Sequence, residues 1–291
     1  MTMCALNKVK GMVVYMEYSP KKMQNRLDEN NFHFKKNFGQ NFIVDENLIN
    51  SIITKAEIDK DTLVIEIGPG AGSLTSKLAL VAKQVLCYEI DRDLEPILHE
   101  NVKNDNVDII FKDFLKCDVL LDLEKHSYKK LYVVANLPYY ITTPIIMKLI
   151  EDRIPVDKIV VMVQKEVGNR FKAEPNSKDY GSLSIFLQYY FKVRKLIDVS
   201  RNVFIPKPNV DSIVVEFSRN NKDYNVKDEK VFFELVKNSF TQKRKTLRNN
   251  LKGYNLEKIE KVLSKYDFTL TVRAEQLSID IFADFANALA E

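Results

Sequence analysis

Apolar and polar residues alternate along the middle of this chain in two distinct patterns. Between about residues 31 and 219, short runs rich in Val, Ile and Leu predict β-strands at residues 62–67, 84–89, 107–111, 131–135, 158–163 and 212–217. Apolar residues at helical spacing predict helices at residues 45–56, 72–82, 92–101, 143–151 and 166–172. This alternation predicts an α/β fold, in which helices cover both faces of a mostly parallel sheet.

The two ends of the chain follow other patterns. Residues 1–30 are polar and mixed in charge, and we interpret them as an extension that is either a flexible arm or a capping helix. The polar stretch 219–227 indicates a linker, after which helical spacing returns at residues 231–239, 244–251, 256–265 and 279–289. We therefore predict an extension (1–30), an α/β domain (31–219) and a small all-helical C-terminal domain (220–291).

Composition narrows the possible functions. Of the 291 residues 45% are hydrophobic and 29% are charged, as in an ordinary globular protein, and a net charge of +4 does not by itself indicate a polyanionic partner. The three cysteines and three histidines are scattered, which predicts neither a disulfide framework nor a metal site. No apolar run has the length of a membrane span or a signal-peptide core. We expect a cytoplasmic protein without a membrane or metal partner, and a monomer by default.

A glycine-rich loop follows the first predicted strand and opens a helix. Glu66 lies near the end of the strand, and Gly68, Gly70 and Gly72 let the backbone turn tightly and approach a ligand. The spacing Gly-x-Gly-x-Gly differs from the dinucleotide fingerprint, which leaves room for a pyrophosphate. A carboxylate beside the loop would repel a pyrophosphate but attract the ammonium of a methionine group. The loop therefore favours S-adenosylmethionine over a nicotinamide cofactor; a purely structural turn is the remaining alternative.

Two further carboxylates stand at the exits of the next two predicted strands. Glu89 lies about 20 residues after the loop, where a carboxylate that accepts hydrogen bonds from ribose hydroxyls is expected. Asp113 is placed to accept from an adenine amino group. Each carboxylate alone could be a helix cap, but acidic residues at three successive strand exits indicate one cofactor site.

The tetrapeptide Asn136-Leu137-Pro138-Tyr139 follows the apolar run 131–135. It provides an amide side chain, a stiffened backbone with carbonyl acceptors and an aromatic ring. An exocyclic amine of a nucleic-acid base needs acceptors for its N–H groups and a face on which its ring can stack. Asn and Pro are also common in turns, so the tetrapeptide alone leaves a structural interpretation open.

A basic stretch lies in the predicted helical tail. It contains six cations with no acidic residue among them: Lys237, Lys243, Arg244, Lys245, Arg248 and Lys252. Such a run is often a solvated helix face, but beside a sheet with a predicted base-binding site it is well placed to contact nucleic-acid phosphates. Lys35 and Lys36, before the first predicted strand, could hold the same nucleic-acid strand from another side.

The motifs together resemble one family. In chain order they occupy residues 35–42, 66–72, 89–91, 113, 136–140, 202–212 and 240–248. They are similar to those of the KsgA family of small-subunit rRNA adenine dimethyltransferases, over residues 31–291. The resemblance implies a Rossmann-like, S-adenosylmethionine-dependent methyltransferase whose substrate is a pair of adjacent adenosines in the 3′-terminal hairpin loop of 16S rRNA, in the assembling small ribosomal subunit.

The resemblance also implies roles for individual residues. On the cofactor side it implies contacts from Gln40, Asn41, Ile43, Glu66, Gly68, Gly70, Glu89, Asp113 and Asn136. On the acceptor side, Asn136 and the Leu137 carbonyl would accept from the adenine N6 amine, Pro138 would stiffen the turn, and Tyr139 and Phe204 would sandwich the base. Because of their charge, rather than because of the resemblance, we also predict RNA contacts from Lys35, Lys36, Lys243, Arg244, Lys245 and Arg248.

Two alternatives stay open at the level of the sequence. An Erm-type 23S rRNA adenine methyltransferase shares the sheet and the cofactor motifs, although Leu137 and the basic stretch favour the small-subunit family. A ribosome-assembly factor with secondary catalysis is the other, although the intact tetrapeptide and glycine loop argue for catalysis. Lys112 and Phe114 depart from the family pattern at the rim of the expected adenine pocket, and no proposed catalytic group is missing.

Overall fold

The structure, a computed structural model, describes residues 20–30, 32–35 and 38–290. Its strands are β1 (Phe42–Ile43), β2 (Thr62–Ile67), β3 (Gln84–Tyr88), β4 (Val107–Ile110), β5 (Lys130–Asn136), β6 (Lys158–Gln164), β7 (Phe191–Val199), β8 (Phe204–Ile205) and β9 (Ser212–Arg219). Its helices are α1 (Pro20–Glu29), α2 (Glu46–Ala56), α3 (Ser73–Val81), α4 (Glu95–Asn101), α5 (Val119–Leu123), α6 (Thr142–Glu151), α7 (Lys165–Phe171), α8 (Ser182–Tyr190), α9 (Glu229–Ser239), α10 (Leu247–Asn250), α11 (Leu256–Ser264) and α12 (Ile279–Ala290).

Seven of the strands form one sheet in the order β4-β3-β2-β5-β6-β9-β7. Strands β4, β3, β2, β5 and β6 are parallel, and β9 runs antiparallel to β6 and to β7. Helices cover both faces, so β2 is buried along its whole length. Alternate residues of β2 face opposite sides: Leu63 and Ile65 pack in the core with Ile145 of α6, whereas Val64 packs in the core with Leu78 of α3.

Strand β7 and helix α8 were absent from the sequence prediction. Strand β7 is the edge strand of the sheet, and exposed Lys192, Arg194 and Lys195 interrupt its apolar pattern. Charged side chains are common on edge strands because they discourage pairing with another chain. The strand also has a register shift between Lys195 and Ile197, which breaks the two-residue period on which the prediction depends.

The predicted helix at residues 244–251 is wrong in extent. Only Leu247–Asn250 is helical, and the preceding residues form turns. The backbone N–H of Leu247 donates to the Val272 carbonyl (2.9 Å), and that of Arg248 donates to the Leu270 carbonyl (3.1 Å). These contacts with a distant segment determine the local conformation, and helical spacing in the sequence could not reveal them.

A separate hydrophobic core joins α9, α11 and α12. Tyr180 and Ile185, from around the start of α8, are buried in the same core, and the Tyr180 hydroxyl donates to the Leu277 carbonyl at 3.1 Å. The segment between β9 and α9 has neither helix nor strand, as expected for a linker. The division into domains at residue 219 stays a prediction, because apolar contacts cross it.

The N-terminal extension is described from residue 20 onward. Of its two interpretations, the helical one applies to residues 20–29, which form α1. Met23 and Leu27 are buried against Ile97 and Leu98 of α4, so this helix covers that face of the α/β unit. Residues 1–19 lie outside the described residues.

Candidate active site

Polar side chains meet at one edge of the sheet, where adjacent parallel strands end. Glu66 lies on β2, Glu89 follows β3, Asp113 follows β4, and Asn136 is the last residue of β5. Because these four strands are parallel neighbours, their carboxyl ends lie side by side. This edge is where open α/β sheets bind ligands.

Two glycines shape the loop after β2. Gly68 has φ +72°, and a Cβ placed on it would have only Pro138 Cδ within 4 Å, at 3.9 Å. Gly70 has φ +60°, and a Cβ there would lie 2.8 Å from the ring of Phe42. A side chain at either position would therefore be strained, and the open space at Gly68 lets a ligand lie directly against the backbone.

A cavity at this edge encloses about 920 Å³, part of which is open to solvent. Twelve of the predicted site residues line it: Gln40, Asn41, Ile43, Glu66, Gly68, Gly70, Glu89, Asp113, Asn136, Leu137, Pro138 and Tyr139. The structure thus brings together in one cavity residues that lie up to about a hundred positions apart in the sequence.

The Glu89 carboxylate is fixed by two backbone donors. The N–H of Gly70 donates to Oε2 at 3.1 Å, and the N–H of Asp91 donates to Oε1 at 2.8 Å. Burial raises the pKa of Glu89 to about 7, although these two N–H groups act in the opposite direction. Each carboxylate oxygen keeps a lone pair, so the group can still accept from a ligand's hydroxyls.

Glu66 is more deeply buried and is 1% exposed. Burial raises its pKa to about 8, and the nearby charge of Glu89 contributes in the same direction. The Cys87 thiol donates to Glu66 Oε2 at 3.7 Å, and this hydrogen bond favours the ionised form. A cationic ligand group beside Glu66 would stabilise that charge further.

Asp113 borders the cavity from the β4 side. Its Oδ1 accepts from the N–H of Leu115 at 3.0 Å, which caps the short turn that follows. Phe114 is buried next to it and packs edge-on against Tyr88 at 5.2 Å between ring centres. Lys112 also lines the cavity. This corner therefore combines a carboxylate acceptor with an apolar wall, as an adenine ring requires.

The carboxamide of Asn136 is oriented by a single hydrogen bond. Its Nδ2 donates to the backbone carbonyl of Asn41 at 2.7 Å. No hydrogen bond from the described residues reaches Oδ1, which leaves this oxygen to accept from a ligand. The neighbouring Leu137 donates its N–H to the Met162 carbonyl at 3.2 Å, which ties the tetrapeptide to β6.

Tyr139 is held by its hydroxyl group. The Tyr139 oxygen lies 2.9 Å from the Oγ of Ser212, the first residue of β9, and Ser212 is 1% exposed. Burial raises the pKa of Tyr139, so the phenol stays neutral. The hydrogen bond restricts the ring beside the cavity, where a flat base could stack on it.

Comparison with known proteins decides the family. A sequence model described as ribosomal RNA adenine dimethylase matches residues 31–291. The chain belongs to this family. Two relatives named ribosomal RNA small subunit methyltransferase A, from Oceanobacillus iheyensis and Staphylococcus aureus, are 46% and 47% identical over 92% and 91% of this chain and 95% and 93% of the relatives.

Solved structures agree with the fold. A dimethyladenosine transferase from Plasmodium falciparum has a TM-score of 0.70 at 27% identity and covers 84% of this chain and 95% of that one. The 23S rRNA methyltransferase ErmE has a TM-score of 0.67 at 23% identity over 86% and 100%, which supports the fold alone. The predicted fold class, family and enzyme class of this adenine dimethylase are confirmed.

Gln40 lines the cavity, but both polar ends of its carboxamide are engaged by other residues. Its Nε2 donates to Asp91 Oδ2 at 2.7 Å, and its Oε1 accepts from the backbone N–H of Lys35 at 2.9 Å. Asp91 is 1% exposed and organises this side of the site, yet the sequence analysis gave it no role. The signal was its position two residues after Glu89, where an aspartate also caps the following turn.

Phe204 does not line the cavity in this structure. It is 3% exposed and packs in the hydrophobic core, and its strand β8 pairs with β1 in the register Ile43 to Phe204. To stack on a base as predicted, its side chain would have to turn outward. Its role therefore stays a prediction.

The predicted RNA-contact residues fall into two groups. Lys35 is paired with Asp91 (2.6 Å) and Asp93 (2.5 Å), so its charge is offset within the protein. Lys36 lies outside the described residues. The other predicted contacts are exposed on and beside the turn before α10: Lys243, Arg244, Lys245 and Arg248. Of these, Lys243 donates to the Lys178 carbonyl at 2.7 Å, which joins the turn to the α/β unit.

From the sequence we expected neither a metal site nor a membrane partner. Among the described residues, no three His, Cys, Asp or Glu side chains lie together as a metal site would require. In the same part of the chain, every helix is too short or too polar to cross a membrane.

Proposed function

We propose that this adenine dimethylase transfers methyl groups from S-adenosylmethionine to N6 of two adjacent adenosines in the 3′-terminal hairpin loop of 16S rRNA. Each adenosine would be methylated twice, in the assembling small ribosomal subunit. The observation that carries the proposal is one cavity with three carboxylates on one side and the tetrapeptide 136–139 on the other. The names of the relatives at 46–47% identity support the choice of small-subunit RNA.

The donor set fits S-adenosylmethionine. Glu89, held by two N–H groups, would accept from the ribose hydroxyls, and Asp113 beside Phe114 would bind the adenine. Glu66 would face the ammonium of the methionine group, and the open space over Gly68 would take the chain between them. When bound, this cofactor supplies an activated methyl group and a neutral thioether as leaving group. The protein then has to provide binding and alignment.

The acceptor side is uncharged, and its oxygens suit an amine. Adenine N6 is a poor nucleophile because its lone pair is delocalised into the ring. Asn136 Oδ1 and the Leu137 carbonyl would accept the two N–H groups out of the ring plane, which favours a tetrahedral nitrogen and frees the lone pair. No base has to act before transfer, since the nitrogen becomes acidic only after it gains positive charge. Alignment of this kind supplies several kcal/mol of the rate enhancement (~7–11 at most).

Tyr139 would stack on the extruded base, with Phe204 on the opposite face after its side chain turns outward. Stacking on aromatic side chains contributes about 1–3 kcal/mol per base. Away from the cavity, the exposed basic turn would contact phosphates, with Lys35 and Lys36 as further predicted contacts. These contacts would add affinity, while RNA shape and the unpaired loop would select the target.

The proposal is tested by methyl transfer to purified subunits. We expect labelled methyl groups to enter undermethylated small subunits but not large subunits, and mapping should place them on the two adjacent adenosines. Transfer to large-subunit RNA would instead support the Erm-type alternative. Binding to small subunits without transfer would support the assembly-factor alternative.

The acceptor motif is tested by Asn136→Ala. This variant should lose transfer while its affinity for S-adenosylmethionine, measured by calorimetry, stays near that of the wild type. Asn50→Ala is a suitable control, because Asn50 is exposed on α2 and does not line the cavity. Full activity in Asn136→Ala would remove the role proposed for the motif.

A further inference from the structure

Asp91 connects the two sides of the candidate active site, although it does not line the cavity. It is 1% exposed, and both oxygens of its carboxylate accept hydrogen bonds. Oδ1 accepts from Lys35 Nζ at 2.6 Å and from the N–H of Asp93 at 3.1 Å, and Oδ2 accepts from Gln40 Nε2 at 2.7 Å. The backbone N–H of Asp91, by contrast, donates to Glu89.

The hydrogen bonds of Asp91 fix the polypeptide just before β1. Lys35 and Gln40 are both attached to its carboxylate, and the Gln40 amide also accepts from the backbone N–H of Lys35. Hydrogen bonds of this kind, in which one partner is ionised, are short and strong. They determine where the chain enters Asn41.

The next residue transmits this position to the acceptor side. The Asn41 carbonyl accepts the 2.7 Å hydrogen bond from Asn136 Nδ2. After Asn41, the chain pairs in β1 with β8, so Asn41 is held from both directions. Without a fixed carbonyl at residue 41, the carboxamide of Asn136 would be free to rotate and could present its nitrogen instead of its oxygen to the substrate.

We propose that Asp91 is a positioning residue for methyl transfer, which aligns the Asn136 carboxamide through Gln40 and the Asn41 carbonyl. The inference rests on the proposed function, because it assigns a purpose to the orientation of Asn136. We call the hydrogen-bonded group of Lys35, Gln40 and Asp91 the clamp. The ion pair between Lys35 and Asp91 is part of it, which explains why Lys35 is held against the body of the protein. Asp91 acts on Asn136 through its side chain and on Glu89 through its backbone.

Because the side chain of Asp91 acts on Asn136 and its backbone acts on Glu89, a side-chain substitution can test the first effect without removing the second. Asp91→Asn keeps the backbone N–H to Glu89 and keeps an oxygen that can cap the turn at Asp93. The amide has only one oxygen, so it can no longer accept from both Lys35 and Gln40. We expect kcat at saturating cofactor to fall about ten- to a hundredfold, the range that a small misplacement of reacting groups causes. The dissociation constant for S-adenosylmethionine should change by a smaller factor than kcat, because the hydrogen bonds that hold Glu89 are intact.

A second variant approaches the clamp from its other end. Gln40→Ala should lower kcat to a similar extent, and the double variant should be no worse than either single one, because both remove the same link. Asp118→Asn is the matched control: Asp118 also caps a helix, accepts from the N–H of Leu121 at 3.1 Å, and does not line the cavity. Wild-type kcat in Asp91→Asn, or a loss confined to cofactor affinity, would overturn the assignment.

Hydrogen exchange provides a readout that does not require activity. In Asp91→Asn, amides in peptides covering residues 32–35 and 38–41 should exchange faster than in the wild type and in Asp118→Asn. Unchanged exchange there would refute the clamp. If the wild-type protein transfers no methyl group to any subunit, the proposed function fails, and the exchange comparison alone then judges the clamp.

Discussion

The buried carboxyl of Glu66 should make the stability of the folded protein depend on pH. Glu66 is 1% exposed, and burial raises its pKa to about 8 from an ordinary value of 4.5. In the unfolded chain the group loses its proton near pH 4.5, whereas in the folded protein it keeps the proton until about pH 8. Between these values the folded state binds one more proton than the unfolded state. The contribution of the protonated Glu66 to the free energy of unfolding is therefore fully present below pH 4.5 and is lost as the pH rises to about 8.

The size of this effect follows from the shift. Each unit of pKa difference corresponds to about 1.4 kcal/mol, so Glu66 alone accounts for a decline of up to about 5 kcal/mol across the window. Glu89, with a pKa raised to about 7, adds to the decline below pH 7. Glu66→Gln keeps the shape of the side chain and cannot ionise. We expect its free energy of unfolding to fall less steeply with pH, by about 1.4 kcal/mol per pH unit between pH 5.5 and 7.5.

Urea denaturation at a series of pH values measures this slope directly. Asp113→Asn is a useful comparison, because Asp113 also lines the cavity but its side chain is 27% exposed. Binding of the cofactor's ammonium should also release a proton from Glu66 at pH 7, which calorimetry in buffers of different ionisation enthalpy would detect. Parallel pH curves for wild type and Glu66→Gln, together with no proton release, would show that Glu66 is already ionised and that the reasoning is wrong.

Two further predictions concern the acceptor and RNA sides. Ser212→Ala and Tyr139→Phe remove the same hydrogen bond, so each should lower the transfer rate by about 2- to 13-fold and the double variant should be no slower; additive losses in a double-mutant cycle would contradict this. Replacing Lys243, Arg244 and Lys245 by Gln should lower the slope of log affinity against log salt by about 0.7–0.9 for each phosphate that is no longer neutralised, and an unchanged slope would show that this face does not contact RNA.

The sequence predicted the carboxylates and the tetrapeptide well because a simple geometric rule applies to them. The carboxyl ends of parallel strands meet at one edge, so residues at successive strand exits must be neighbours. Glu66, Glu89, Asp113 and Asn136 all follow this rule, and all four line the cavity. The hydrogen-bond partners of these residues could not be predicted from the sequence. The hydrogen bond between Asn136 and the Asn41 carbonyl joins residues 95 positions apart, and no local sequence pattern predicts it.

For other residues, local sequence rules could not predict the tertiary partner. Lys35 is predicted to contact RNA because of its charge and its place near the cofactor loop, and the fold also brings Asp91 and Asp93 within 2.6 Å of it. Gln40 is predicted to contact the cofactor and lines the cavity, and both ends of its amide also form hydrogen bonds within the protein. In each case the residue type was informative, while its partner depended on how the chain before β1 packs against the turn after β3.

The two sides of the cavity differ in charge, and this difference has a consequence for catalysis. The donor side carries Glu66 and Glu89, whose raised pKa values lie near neutrality. The proposed acceptor side, residues 136–139, offers amide and carbonyl oxygens and a phenol that stays neutral, so none of these four residues titrates near pH 7. If nitrogen activation depends on these neutral acceptors, the pH dependence of the reaction must originate in cofactor binding. It should therefore appear in the cofactor KM, while kcat stays nearly level between pH 6.5 and 8.5.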